Sequence, residues 1–394
     1  MILLPQAQAL VRQQARSFGI QTILLEDAVQ RVLAQPVTAD RQYPPFNRAT
    51  MDGIAISSSD WVAGIRQYEV AETIFAGQAY TQRITSGQCY KIMTGAAVPP
   101  GADTVIRRED IEADNNRLTV TVSHIAAGQN IAAAGSDIQP GAVVLPQNQL
   151  IKPGSITTLA SLGYSQVSVY QLPTVAIITT GDEVVDISAA VNAIQIRNSN
   201  AALLKSLLRQ WQIQPHSCTH VADDTTALTN AVTQVLHNDI IILSGAVSAG
   251  DADFVPAVLE QAGAQKIFHK VAIRPGKPFW FGAFKNGPVV FALPGNPFST
   301  FVTYKLFIED FLRHCFAMTA SPMLQLPLNG SRVKKTGLDE FFPVTFTGSP
   351  TKAVPILFNS SGDITAVMQA DALGWHEAAM NELANNSLVY ILPI

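Results

Sequence analysis

The sequence predicts a multidomain protein of mixed α/β and β class, organised around a central doubly wound parallel α/β domain. Three observations carry this expectation. The chain has 394 residues, and at ~150 residues per domain that is a prior for roughly two to four domains. From Thr174 to about Leu312, buried-type strands alternate with helical patterns, the rhythm of a parallel sheet with helices on both faces. The flanking regions carry short β-type runs cut by Gly and Pro turns.

The elements follow in order. Between residues 6 and 34 there are two helical patterns: Ala7, Leu10, Val11 and Ala15 fall on one face, as do Ala28, Val29, Val32 and Leu33, and Pro36 closes the second. From Pro44 to about Pro146, runs such as Ala55-Ile56, Cys89 to Met93, Thr104 to Ile106 and Leu118 to Val122 read as an all-β insert. A helix at Ser155 to Leu162 and a strand at Gln166 to Tyr170 lead into the α/β region. There, strands at Val175 to Ile178, Asp239 to Leu243 and Val289 to Leu293 alternate with helices at Ala201 to Gln210, Phe254 to Ala262 and Phe298 to Phe311. After Met318 the texture is β again, with Pro343 to Phe346 and Ser387 to Leu392 as strands of a small barrel or sheet.

Composition narrows the function classes. Hydrophobic residues make up 47% of the chain, and charged residues 14% against the ~25% usual for soluble proteins, so long disorder is not expected. Lys and Arg number 26 against 30 Asp and Glu, a net charge of −4, which argues against nucleic acid or an anionic membrane as partner. The apolar run Ile240 to Leu243 reaches serine and glycine long before the ~20 residues a membrane span needs. The first residues have neither a basic n-region nor a small-residue cleavage pattern, so a cytoplasmic location is expected. Cys89, Cys218 and Cys315 are widely spaced and read as plain thiols.

Chemistry is expected just beyond the carboxyl ends of the parallel strands, where ligands of open α/β sheets bind. All three strands run into glycine turns: Thr180-Gly181-Asp182-Glu183, then Ser244-Gly245 through Ser248 and Gly250 to Asp251, then Pro294-Gly295-Asn296-Pro297. One such turn is an ordinary βα loop; three converging turns, with backbone N–H groups and helix N-termini, predict a phosphate-bearing ligand. Lys266, His269, Lys270, Arg274 and Lys277 follow one another without an intervening carboxylate, and two prolines and a glycine fix the turn around Arg274 and Lys277. Such a rigid cationic turn suits an oxyanion. Carboxylates gather at Asp182, Glu183, Asp223, Asp224, Asp251 and Asp253, a set suited to Mg²⁺, with helix capping as the alternative for the last two. His216, Cys218 and His220 match no standard zinc spacing, and Ser248 lies outside any G-x-S-x-G elbow.

The segments PPFNRATMDGIAI, IMTGAAVPPGADTVI, GSDIQPG, AIITTGDEVV, IRNSNAALLKSLL, DIIILSGAVSAGDADF, HKVAIRPGKPFWFG and ALPGNPFSTFV resemble the molybdopterin molybdenumtransferases, the MoeA and gephyrin E-domain family, in order and spacing. The resemblance implies four parts. These are an elongated helical domain from residues 1–45 and 140–172, a β insert over 46–139, a MogA-like pterin-binding α/β domain over 173–318, and a C-terminal β domain over 319–394. It implies insertion of molybdate, the co-substrate, into adenylylated molybdopterin with release of AMP, assisted by Mg²⁺. It also implies a homodimer with a shared active site, and a contact with the molybdopterin adenylyltransferase.

Carried over by motif, Asp52, Thr94, Asp137, Glu183, Lys270 and Arg274 are the expected catalytic residues. Gly181, Asp182, Asp223, Ser244, Gly245, Ser248, Gly250, Asp253, Lys277, Pro294, Gly295, Asn296 and Ser361 are expected to bind substrate, and Glu183, Asp223 and Asp253 to hold the metal. The chain departs from the family pattern at several positions. Ala132 stands in place of an arginine, Arg274 in place of a lysine, Ala246 and Ala249 in the glycine-rich turn, and Ala49 and Ile54 beside Met51-Asp52-Gly53. The retained acids favour a competent insertase; Ala132 favours the alternative, a divergent homologue that binds pterin or a partner as a scaffold.

Overall fold

The computed structural model describes residues 1–114, 116–247, 254–319 and 323–394. By contacts within the chain it divides into two compact units, one of residues 36–147 with 157–165, the other of residues 1–35, 148–156 and 166–394.

The smaller unit is built on a six-stranded sheet in the order Thr104–Arg107, Gly53–Ile56, Gln88–Ile92, Gln67–Ile74, Arg117–Val120, Ile111–Asp114. Alternation puts Ala55, Ile74, Tyr90, Ile92 and Val105 on one face and Ile54, Ile56, Tyr68, Cys89 and Ile106 on the other, each with its own apolar cluster. A two-stranded ladder, Arg48–Ala49 against Ile131–Ala132, lies beside it.

The larger unit contains two six-stranded sheets among smaller two-stranded ladders. The central one has the order Ser217–Val221, Val175–Thr180, Ile240–Ser244, Val289–Leu293, Trp280–Phe284, Ala264–His269. Its first four strands are parallel, and every residue of Val175–Thr180, Ile240–Ser244 and Val289–Leu293 is buried, as strands covered by helices on both faces require. The parallel core carries one antiparallel strand: Trp280–Phe284 runs antiparallel to both its neighbours. The cause is the Asn286-Gly287 turn, with Asn286 at φ 56°, which folds the chain straight back into Val289–Leu293. The second sheet pairs Ile273–Arg274, Asp339–Thr347, Ala372–His376, Leu388–Pro393 and Leu324–Pro327 in that order, with Lys352–Pro355 on the Asp339–Thr347 strand. Through Ile273–Arg274 it is continuous with the turn that follows the central sheet's edge strand.

The N-terminal region is less helical than its pattern predicts. The first helix, Leu4–Gln13, has Pro5 in its opening turn and buries Leu4, Ala7 and Val11 in the core shared with Phe307 and Phe311. The second expected helix, over Ala28 to Leu33, does not form. Gln30 takes φ 66°, and Val32 and Leu33 instead make β-bridges with Leu150 and Val169. A run in which Val32, Leu33 and Ala34 are all buried needs no helical face to satisfy it. The expected helix from Phe298 is continuous only in part: Pro297–Thr303 and Glu309–Cys315 flank a π-helical segment, Tyr304–Ile308, in which Lys305 pairs with Glu309. Among the described residues no helix is long and apolar enough to cross a membrane.

His376, fully buried in the second sheet, has its pKa pushed down by burial and then by Lys334 and Arg332. Because the folded value lies below the unfolded one, the native state resists protonation, and stability falls as pH drops below about 6.5. Thermal melts at pH 7.5 and 5.5 should show a larger loss for the wild type than for His376→Asn; equal losses would refute this.

Candidate active site

The topology creates the site. The chain leaves Val175–Thr180 to form Ser217–Val221 on one side, then returns to form Ile240–Ser244 on the other, so the strand order reverses at the carboxyl ends of Val175–Thr180 and Ile240–Ser244. A crevice opens at such a switch point. Here it is a cavity of about 1330 Å³, lined by Thr179 to Gly181, Ser244 to Val247 and Pro294 to Pro297 from the three glycine turns. Thr180 and Ser244 are both buried. The helix Ser199–Arg209, capped by the Asn198 side chain on the N–H of Ala201, begins at the cavity wall, as does the helix after Asn296. Both present their positive N-terminal ends to it. Asn200 donates to Ser244 Oγ (2.9 Å) and to the Gly295 carbonyl (2.6 Å), tying two of the turns together.

The charged residues divide by origin. Glu183 and Asp223, from the loops after Val175–Thr180 and Ser217–Val221, supply the acids of the sheet side. The Asp223 N–H donates to Asp182 Oδ1 at 3.0 Å. Burial and the neighbouring charges of Asp182 and Glu183 push the Asp223 carboxyl above its ordinary range. Cations come from elsewhere: Arg274 and Lys277 from the turn after the edge strand, and Arg332, Lys334 and Lys335 from the C-terminal sheet region. Ser361 also lines the cavity, held by Asn296 Nδ2 on its Oγ (2.9 Å) and by Phe298 N–H on its carbonyl (3.1 Å).

Apart from those of the smaller unit, the expected residues fall into three groups. Gly181, Glu183, Asp223, Ser244, Gly245, Arg274, Lys277, Pro294, Gly295, Asn296 and Ser361 line one cavity. Asp182 stands behind it through its bond to Asp223, and Lys270 is absent from its lining. Lys270 sits at φ 69° with its carbonyl accepting from Ile2 N–H, and Lys266 is paired with Glu260 at 3.0 Å, so of the expected cation run Arg274 and Lys277 are the two that line the cavity. Ser248, Gly250, Asp251 and Asp253 lie outside the described residues. Among the described residues no three His, Cys, Asp or Glu side chains form a metal-holding group, so Glu183 and Asp223 are the described part of the expected metal set. His220 Nδ1 instead lies 3.1 Å from Thr179 Oγ1. Arg332, Lys334, Lys335, Asn200 and Glu340 also line the cavity, beyond the residues that the sequence singles out.

In the smaller unit, Asp52 is exposed and its Oδ1 accepts from both the N–H (2.7 Å) and the Oγ1 (2.8 Å) of Thr94. These bonds, with Arg108 nearby, hold its carboxyl below the ordinary range. Asp137 Oδ1 accepts from Ser136 Oγ at 3.0 Å. Ala132 is the register partner of Arg48, so an arginine residue faces the alanine across the ladder.

Two family models match the chain: the MoeA N-terminal region (domain I and II) over residues 2–163, and the probable molybdopterin binding domain over residues 176–314. A molybdopterin molybdenumtransferase of Staphylococcus aureus is 31% identical over 375 residues, 93% of this chain and 89% of that protein. The chain belongs to the MoeA family of molybdopterin molybdenumtransferases. A second family member, from Synechocystis, is 31% identical across 96% of this chain and 97% of its own. The crystal structure of a MoeA protein from Pyrococcus horikoshii OT3 superposes with a TM-score of 0.84 at 25% identity, each chain covered completely. Within the MoeA match lie Asp52, Thr94 and Asp137; Arg332, Glu340 and Ser361 lie beyond both matched segments.

Proposed function

We propose that this protein inserts molybdenum from molybdate into adenylylated molybdopterin and releases AMP. The observation that carries the reading is the cavity itself, large enough for a pterin joined to a nucleotide, with acids on the sheet side and cations from the opposite turn and the C-terminal sheet. Backbone N–H groups of the glycine turns and the two helix N-termini favour the phosphates. Arg274, Lys277 and Arg332 favour a tetrahedral oxyanion. Glu183 and Asp223 fit Mg²⁺, which takes one or two protein carboxylates and completes its shell with phosphate and water. Burial and the charges of Asp182 and Glu183 raise the Asp223 carboxyl, and a cation bound beside it would offset that cost. Bound there, Mg²⁺ supplies charge neutralisation at the phosphoanhydride. The same reading includes a cytoplasmic location, a homodimer with shared sites, and a contact with the adenylyltransferase that makes the substrate.

The test is anaerobic incubation with adenylylated molybdopterin, Mg²⁺ and molybdate, following AMP. Molybdate should trigger release and sulfate should not; equal release with and without molybdate would leave a simple pyrophosphohydrolase.

The register at Ala132 adds a second expectation. Arg48 supplies the cation at that ladder, so Arg48→Ala should raise the half-saturating molybdate concentration about tenfold, and Ala132→Arg should restore it in the Arg48→Ala background. Ala132→Arg alone should bring no gain, because it sets two guanidiniums opposite each other. An unchanged molybdate response in Arg48→Ala removes this role.

A further inference from the structure

Two arginines of the cavity lining, Arg274 and Arg332, share one buried acid. Glu340, on the strand Asp339–Thr347, is only 5% exposed. Its Oε2 accepts from Arg332 Nη2 at 2.7 Å, and its Oε1 accepts from Thr336 Oγ1 at 2.7 Å and lies 3.8 Å from Arg274 Nη1. Two features of the strand fix this arrangement. Arg274 is the register partner of Glu340 in the parallel pair that joins the two sheets. Phe342, two residues further on and therefore on the same strand face, lies under the Arg332 guanidinium, 4.5 Å from ring centroid to carbon. One carboxylate thus ties an arginine that follows the central sheet to an arginine of the C-terminal region.

Stability alone is a weak reason for such a group, because the desolvation of a buried carboxylate offsets most of its attraction to its partners. Its effect lies in where it holds the two guanidiniums. Glu340 engages one N–H donor of Arg332 and leaves others of the fork for a ligand. Pre-orientation of this kind lowers the ordering cost of capturing an oxyanion. We propose that Glu340 is a positioning residue that presents Arg274 and Arg332 to the cavity as a pair for a tetrahedral oxyanion. The inference rests on the molybdate-transfer reading above.

The sign of one measurement separates this role from a bare charge effect. A negative charge beside an anion site repels the anion, so if Glu340 were only a charge, Glu340→Gln would lower the half-saturating molybdate concentration. A positioning role demands the opposite: the isosteric Glu340→Gln should raise it about tenfold, with the rate at saturating molybdate within about twofold of wild type. Glu340→Asp, which keeps the charge, should recover part of the loss. Because Glu340 acts through the arginines, Glu340→Gln should have little further effect in an Arg274→Gln, Arg332→Gln background. Thermal melts of each variant establish that the compared proteins are folded. If Glu340→Gln binds molybdate as well as or better than wild type, or loses the same factor without the arginines, the positioning role is wrong. If wild-type AMP release ignores molybdate, the transfer reading fails and this inference falls with it; a molybdate-responsive wild type with an unaltered Glu340→Gln removes this inference alone.

Discussion

Gly245→Ala should destabilise the protein by about 2–5 kcal/mol and remove nearly all molybdate-dependent AMP release, combining backbone strain of about 1–3 kcal/mol with overpacking of similar size. Gly245 follows Ile240–Ser244 at the switch point with φ +118°, a conformation that a residue with a Cβ adopts only under strain. A Cβ there would lie 2.6 Å from Thr180 Oγ1 and 2.7 Å from the Thr180 carbonyl oxygen. The carbonyl belongs to the backbone of the neighbouring parallel strand, so relief requires the two strand ends to move apart. Those strand ends are the floor of the cavity, and their separation misplaces the backbone N–H groups of the turns. Gly295→Ala is the control for stability, because its Cβ would meet only Gly245 Cα, at an ordinary 3.5 Å. Urea unfolding and AMP release measure the two effects; a Gly245→Ala protein with wild-type stability and rate would show that the turn yields without consequence.

The same turn shows what the sequence makes legible. Mostly apolar strands that run into glycine announce a buried parallel sheet and its ligand crevice together, because both properties are local: composition of the strand, and the residue that follows it. The Asn286-Gly287 turn was equally local, and it alone signals the antiparallel strand that a simple strand–helix rhythm overlooks. Ala28 to Leu33 failed for a different reason. Its spacing suits a helix, but the bridges of Val32 and Leu33 to Leu150 and Val169 are set by residues over a hundred positions away. Arg332 and Glu340 belong to the same class. Nothing in their neighbourhood marks them, and they reach the cavity because Asp339–Thr347 pairs with Ile273–Arg274 across more than sixty residues of chain. Lys266 is the converse case, a charge grouped with Arg274 and Lys277 in sequence that pairs with Glu260 in the structure.

Asp52 and Glu183 belong to different compact units, and the strongest test of the shared-site homodimer uses one lesion in each. Asp52→Asn removes the exposed carboxylate that Thr94 holds ionised, and Glu183→Ala removes an acid of the cavity. Each variant alone should lose about a hundredfold or more of its AMP release, the scale seen when a group acting on transition-state charge is deleted. When the two proteins exchange subunits at random, about half of the dimers are mixed. If each site draws Asp52 from one protomer and Glu183 from its partner, a mixed dimer has one site with both lesions and one with neither. About a quarter of wild-type activity should then return, provided the two sites work independently. If each site were built from one chain, every site in every dimer would carry a lesion and no activity would reappear. Exchange is verified separately with tagged protomers, so continued inactivity in a verified mixture rejects the shared site, and recovery near a quarter establishes that the two carboxylates meet across the dimer.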